Sequence, residues 1–336
     1  GVRFRVYAPR AKRVTVIGEF NFWHDTDMYA EGRGGIFQVL VPGALEGQMY
    51  KYRIYHQDGT VTDKADPYGF GMELRPRSAS VIRRRDGFQF TDWEWMKDTD
   101  KKYDRPLNIY EIHFGSWRRK HGDSLHKTNV WYHDNKENIA FYHNDSLHNS
   151  GENTLIECDD GLHNNEEGWY SYEEMAGVLI PYLQEMGYTH VELMPITEHP
   201  VDESWGYQST GFFAPTSRYG TCHDLKYFIN ECHKAGIGVI LDFVMVHFAT
   251  DDYGLKSFDG EELYEMPSSD VTVSEWGSYN FFHAKGEVAS FLKSCTDYWL
   301  NDYHFDGLRF DAISNIIYWR GRTECGINEK ALSFVK

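Results

Sequence analysis

The chain has 336 residues, with 34 basic and 51 acidic side chains and a formal charge of −17. That length allows two domains at the usual ~100–200 residues each, and the acidic balance repels phosphate backbones, which argues against nucleic acid as a partner. The longest apolar run, Ile237 to Val246, is interrupted by Asp242 and falls short of the ~20 residues of a membrane span.

The first hundred residues read as short strands separated by turns. Val2 to Tyr7, Val14 to Ile17, Ile36 to Val41 and Tyr50 to Tyr55 are β-branched or aromatic, with Gly, Asn and Pro between them. Regular short strands without helical periods predict a β-sandwich over residues 1–100. The turn EFNFWHDTDMY carries Trp23, which reads either as a core or edge aromatic or as a platform for stacking a sugar ring.

From Leu107 the rhythm becomes strand, helix, strand. Asn108 to His113 is a strand candidate. Ser171-Tyr-Glu-Glu174 has capping-box spacing and opens a helix running to about Met186, with Gly187 as its stop. HVELMPI is the next strand, followed by a helix from Asp224 to Lys234 that Ala235-Gly236 closes. IGVILDFV, a helix from Glu287 to Asn301 and the strand FDGLRFDA complete the series. Four strands joined by helices predict a parallel α/β domain over 107–336; periodicity leaves open whether its sheet is a barrel or an open layer.

Residues 118–168 form a polar insertion in the first strand-to-helix connection. HGDSLHKT at His121 and HNDSLHNS at His143 are an imperfect repeat, and six histidines fall here, at 121, 126, 133, 143, 148 and 163. Nothing repeats as HxxxH, so a loop grown by duplication is favoured over a zinc site, and no metal or cofactor is expected. Five cysteines without CxxC spacing do not form a disulfide framework and are read as reduced thiols in a cytoplasmic protein. No signal peptide is visible, and since the chain opens on Gly1 rather than Met, a preceding segment is expected to be missing.

The chemistry falls at strand ends. Alternation puts Arg309 and Asp311 on one face of the last strand, and the guanidinium supplies a counter-charge that keeps the carboxylate ionised. Ile237 to Leu241 lead likewise to Asp242, with His247 five residues on. Parallel α/β proteins place active sites at these C-terminal ends. A structural ion pair, a turn aspartate and a core histidine are the alternatives residue by residue. The aromatic stretch SWGYQSTGFFAPTSRYG, Ser204 to Gly220, reads either as core packing or as a loop suited to sugar faces.

YEIHFGSW at Tyr110, HVELMPITEHPVDESWGYQSTGFFAPTSRYG, VILDFVMVHF and DGLRFDAIS together resemble the α-amylase superfamily of glycoside hydrolases and transferases (glycoside hydrolase family 13). More closely they resemble its bacterial 1,4-α-glucan branching enzymes of glycogen synthesis. Outside 118–168 the likeness covers nearly the whole chain, and the opening β domain resembles that family's carbohydrate-binding module. The resemblance implies a (β/α)8 barrel, of which the first half is present, and retaining two-step glucosyl transfer. Asp311 would then be the nucleophile and Arg309 the group that keeps it charged, while Asp242, His247 and Tyr207 line the sugar subsite. The partner would be an α-glucan bound by a monomer, with no nucleic acid and no membrane.

Two departures stand out. Met245-Val246 replace the Asn or Pro-Gly usual before the histidine, which leaves the loop course open. The acid glutamate of the fifth strand and a later His-Asp pair do not occur before Lys336, so the chain reads as a fragment, expected to be poorly stable and inactive alone. A glucan-transfer assay on the 336 residues tests that. The competing readings are an isoamylase- or pullulanase-type debranching hydrolase and a non-catalytic glucan-binding protein.

Overall fold

The computed structural model describes residues 1–97, 106–120 and 168–335. In the first part, β1 (Val2–Tyr7), β2 (Arg13–Gly18), β3 (Thr26–Asp27), β4 (Tyr29–Ala30), β5 (Ile36–Val41), β6 (Met49–Tyr55), β7 (Val61–Lys64) and β8 (Ser80–Val81) make two antiparallel sheets. One has the order β1-β5-β4; the other has the order β3-β2-β6-β7, with β8 also on β6. Alternation along β6 sends Tyr50, Tyr52 and Ile54 inward, where they meet Phe4 and Val6 of β1 and Val14 and Val16 of β2. Two sheets that bury one face each against the other form a β-sandwich.

Trp23 is not a core residue. Phe22 and Trp23 adopt positive φ values of 54° and 62°, a conformation unusual for non-glycine residues. The turn leaves them 84% and 41% exposed.

A short helix, α1 (Trp93–Lys97), precedes β9 (Ile109–Ile112) and α2 (Phe114–Trp117). Then come α3 (Tyr172–Glu185), β10 (His190–Leu193), the hairpin pair β11 (Thr197–Glu198) and β12 (Gly211–Pro215), and α4 (Cys222–Lys234). The remainder is β13 (Gly238–Phe243), β14 (His247–Phe248), β15 (Tyr279–Asn280), α5 (Gly286–Asn301), β16 (Gly307–Phe310), α6 (Ser314–Ile317) and α7 (Glu329–Val335).

Strands β9, β10, β13 and β16 form one parallel sheet whose spatial order follows chain order. A doubly wound sheet reverses order at a switch point; this one does not, and the singly wound order is that of a (β/α) barrel. The capping box predicted for α3 is present, with Ser171 Oγ accepting from Glu174 N at 3.1 Å and the Glu174 carboxylate accepting from Ser171 N at 2.7 Å. Gly187 follows at φ 72°, the left-handed stop that a helix end favours. On α5, Phe291, Cys295, Tyr298 and Trp299 all turn into the core as expected.

Two expected strands are shorter than their apolar patterns. HVELMPI pairs only through Leu193, and FDGLRFDA only from Gly307 to Phe310. In the second case Ala312 takes φ 44°, which ends the extended backbone and leaves Asp311 just past the last paired residue. Lys120 N donates to Gly168 O at 2.8 Å, so the chain leaves and returns at one point around the insertion. Its residues 121–167, and with them the histidine repeat and the metal reading, lie outside the described residues.

Hydrogen bonds from charged side chains tie the sandwich to the loops of the parallel domain. Arg10 donates to the fully buried Asp259 through its backbone N at 3.0 Å and Nη2 at 3.0 Å. Lys64 Nζ donates to the carbonyls of Asp252 and Lys256, both at 2.6 Å, and burial pushes its ammonium down to about 8. These contacts anchor the start of the long segment between β14 and β15, whose later residues line one cavity with Val246, beyond β13, and Ala312, beyond β16. No described helix is long and apolar enough to cross a membrane.

Candidate active site

Parallel strands in register bring equivalent residues side by side. Asp242, near the end of β13, is the register partner of Arg309 on β16, so a carboxylate and a guanidinium meet on the inner face. Arg309 Nη1 donates to Asp242 Oδ2 at 2.7 Å and to Asp311 Oδ1 at 3.0 Å. One nitrogen therefore ties the two aspartates to a single point.

Their surroundings differ. The Asp242 side chain is completely buried, whereas that of Asp311 is 23% exposed. Burial raises the Asp242 carboxyl above its ordinary range even though the hydrogen bonds of Arg309 and Tyr207 oppose it. Burial works against the charge on Arg309, and the bond and charge of Asp242 more than offset it, so the guanidinium stays protonated. The sequence pairs Arg309 with Asp311 alone; in the fold its closer partner is Asp242.

Tyr207 reaches this point from the β11–β12 hairpin, its hydroxyl donating to Asp242 Oδ2 at 2.7 Å. Burial, then that bond, raises the phenol well above its usual range. The turn before it needs Gly206, at φ 90°, because a Cβ there would lie 2.0 Å from the Pro195 carbonyl oxygen. His247 is buried at the start of β14 with Nδ1 unpartnered. Its ring centroid lies 5.3 Å from that of Trp276.

Beside this cluster opens a cavity of about 690 Å³, lined among others by Val246, Trp276, Asn280, Ala312, Tyr318 and Trp319. Trp276 and Trp319 are exposed and Asn280 Oδ1 is buried without a partner. Flat rings beside unused polar atoms suit a ligand with apolar faces and hydroxyl edges. Sequence reasoning missed these residues, since β14 and β15 are two residues long and carry no readable period. It also missed Glu111 and Glu192, on the inner face of β9 and β10, which with Asp242 form the one carboxylate trio of metal-binding geometry among the described residues. Arg309 already occupies one Asp242 oxygen.

Burial pushes the His247 and His283 imidazoles down to about 4. Both rings are then neutral in the folded protein, while the unfolded chain takes up protons below about pH 6.5. Each buried ring therefore withdraws stability as pH falls from about 6.5 to about 4. Raised carboxyls such as Asp242 and Glu265 act in the opposite sense, so the comparison of variants isolates the histidines. His247→Gln is expected to gain stability relative to the unsubstituted protein across that window, read as the difference in urea midpoints. A constant difference would refute it.

Comparison with known proteins places the chain among carbohydrate-active folds. Residues 1–69 match the carbohydrate-binding module 48 (isoamylase N-terminal domain), and residues 163–266 match the α-amylase catalytic domain. The chain is 41% identical over 341 residues to the 1,4-alpha-glucan branching enzyme GlgB of Geobacillus stearothermophilus, covering all of this chain and 46% of that protein. Against the enzyme of the same name from Methylobacillus flagellatus it is 40% identical, covering 95% of this chain and 39% of the relative. The chain thus spans less than half the length of these relatives. A crystal structure of a putative α-amylase from Salmonella typhimurium superposes with a TM-score of 0.64 at 24% identity, over 94% of this chain and 42% of that one, which speaks for the fold. These findings identify the chain as a homologue of the bacterial 1,4-α-glucan branching enzymes, with a carbohydrate-binding module 48 ahead of part of an α-amylase catalytic domain.

Proposed function

We propose that the protein carrying this chain is a 1,4-α-glucan branching transferase of glycogen synthesis. The observation that carries the reading is the single guanidinium nitrogen shared by Asp242 and Asp311 at adjacent strand ends. In this role the Asp311 carboxylate attacks the anomeric carbon of an α-1,4-linked glucose. The bond to the leaving oxygen breaks as that oxygen takes a proton, and a covalent glycosyl–enzyme forms. A 6-hydroxyl of a second glucan then attacks the same carbon while its proton passes to the group that protonated the first leaving oxygen, which releases the Asp311 carboxylate and closes an α-1,6 branch. Retaining chemistry also needs a carboxylic acid ~5–5.5 Å from the nucleophile; no carboxyl of this chain is assigned to it.

Arg309 orients Asp311 through its 3.0 Å bond and places a positive charge beside it. Asp242, His247 and Tyr207 bind the glucose at the cleavage point: the neutral imidazole and the buried carboxylate meet hydroxyls, and the phenol ring meets the sugar face. The cavity bounded by Trp276 and Trp319 continues the cleft, and the sandwich holds the polymer nearby. We place the protein in the cytoplasm as a monomer, a location in keeping with the free thiols of Cys222, Cys232, Cys295 and Cys325.

The test is product analysis on amylose with the full-length protein. Branching lowers the iodine colour while creating little new reducing sugar. An unchanged polymer that is accompanied by hydrolysis of pullulan or glycogen branches would replace this reading with a debranching one.

A further inference from the structure

A second cavity, of about 740 Å³, opens between α5 and the chain that follows β7. It shares no lining residue with the cavity beside Asp311, and the transfer chemistry makes no use of it. Its volume falls within the ~300–1,000 Å³ of small-ligand sites.

One wall is aromatic. Asp66-Pro-Tyr-Gly69 carries favoured turn residues, and the turn forms: Gly69 N donates to Asp66 O at 3.0 Å, and the Asp66 carboxylate accepts from Tyr68 N at 2.9 Å. The Tyr68 ring is thereby held against Phe213 and edge-on to Phe291, with centroids 4.9 and 5.2 Å away. Even so packed, Tyr68 is 38% exposed. Phe70 extends the wall, stacked on Tyr298 at 5.2 Å. A ring fixed in advance loses little freedom when a ligand covers it.

The facing wall is polar. Because α5 turns Phe291, Cys295 and Tyr298 into the core, its period leaves Ser290, Lys293, Ser294 and Asp297 exposed along the cavity. The hydroxyls of Tyr68, Ser290 and Ser294 and the Lys293 ammonium have no hydrogen-bond partner among the described residues. Charge here is balanced. Arg85 gives Nε and Nη2 to Asp302, both at 2.6 Å, and Lys293 has Asp297 one turn along the same wall. Without a surplus of positive charge, and in a chain of −17, the groove does not attract phosphate. A flat ring opposite spare hydroxyls suits a neutral ligand with C–H faces and hydroxyl edges.

We propose that this groove is a second α-glucan site, where Tyr68 is the ring platform and a stretch of the polymer is held away from the point of cleavage. A long chain held there meets the cleft at a raised effective concentration; a chain too short to reach both gains nothing. That kinetic role rests on the transferase reading, while the binding of a neutral saccharide does not.

The experiment uses the full-length protein labelled with fluorotyrosine, carrying Asp311→Asn so that the probe is not consumed. The resonance lost in Tyr68→Phe assigns Tyr68. Maltoheptaose is added to about 20 mM, enough to reveal a Kd of about 1 mM. We expect a saturable shift of the Tyr68 resonance that Ser294→Trp abolishes, since the indole fills the groove from an exposed helix position. Ser290→Trp, one turn earlier, should act alike. A resonance that maltoheptaose leaves in place, or that still responds in both tryptophan variants, overturns the proposal; so does a response to ADP or inorganic phosphate without one to maltoheptaose. Transfer kinetics with Asp311 intact give the second readout. Ser294→Trp should raise KM for long amylose about tenfold with kcat kept, and leave KM for short linear chains unchanged. An unaltered KM for long amylose overturns the holding role. A Tyr68 shift in a protein that does not branch amylose keeps this site and sinks the transferase reading; branching with a silent Tyr68 does the reverse.

Discussion

Asp311→Asn in the full-length protein is expected to cut glucan transfer by about 10⁴-fold or more, the scale seen when a covalent nucleophile is removed. That factor corresponds to about 5.5 kcal/mol of transition-state stabilisation. The amide is isosteric with the carboxylate, and its oxygen still accepts the 3.0 Å bond from Arg309 Nη1, so packing has little reason to change. Asp311 also sits past the last paired residue of β16 with part of its side chain in solvent. The fold should therefore remain, with a urea midpoint displaced by no more than about 1 kcal/mol in free energy. An amide cannot form the glycosyl ester, which confines the loss to the chemical step: kcat falls and glucan affinity stays. Transfer persisting at a tenth of the original rate would show that another carboxylate is the nucleophile.

This assignment draws on features that differ in how far the sequence exposes them. The parity of Arg309 and Asp311 is legible because side-chain alternation is local: two residues apart on a strand means one face. That Asp242 is the closer partner of Arg309 is not, since parity gives a face but not a register. The residue opposite Asp242 is fixed only when β13 and β16 pair through the whole helix between them. Helix ends were legible for a similar local reason. Ser171 with Glu174, and Gly187 beyond, carry their own hydrogen-bond chemistry, and α3 begins and ends where they direct.

The last strand was read too long because apolar alternation continues after pairing stops, from Phe310, the last paired residue, to Ala312. Loop residues were the least visible. Trp276 reaches His247 only because His247 and Asn280 pair across more than thirty intervening residues, and nothing in their spacing announces it. Tyr207 was suggested by the likeness of its motif, while the reason it reaches Asp242 lies in the Gly206 turn and in the ion pairs that brace the hairpin around it.

Those ion pairs set the largest expected stability effect. Arg218 is 1% exposed at its side chain and Glu198 4%. Arg218 Nη1 donates to Glu198 Oε1 at 2.8 Å, to the His199 carbonyl at 2.9 Å and to Thr216 Oγ1 at 3.0 Å, while Nε donates to Asp202 at 2.8 Å. Bonds from Arg75 and Arg218 hold the Asp202 carboxyl far below its ordinary range. Arg218→Met keeps most of the side-chain volume but leaves the Glu198 carboxyl in the interior without its cation, with only Ser217, Thr216 and the His199 backbone N–H as donors. Breaking a buried pair in this way costs about 3–5 kcal/mol, a large share of the ~5–15 kcal/mol typical of a domain. Because the pair closes the hairpin that carries Tyr207, the hydroxyl should also leave Asp242, raising KM for glucan more than it lowers kcat. Glu198→Gln together with Arg218→Met removes the stranded charge, so the double variant should recover more than half of the lost stability. If Arg218→Met costs less than about 1 kcal/mol by urea denaturation, or the double variant is no better than the single one, the hairpin is held by its apolar packing and the buried pair does not set its position.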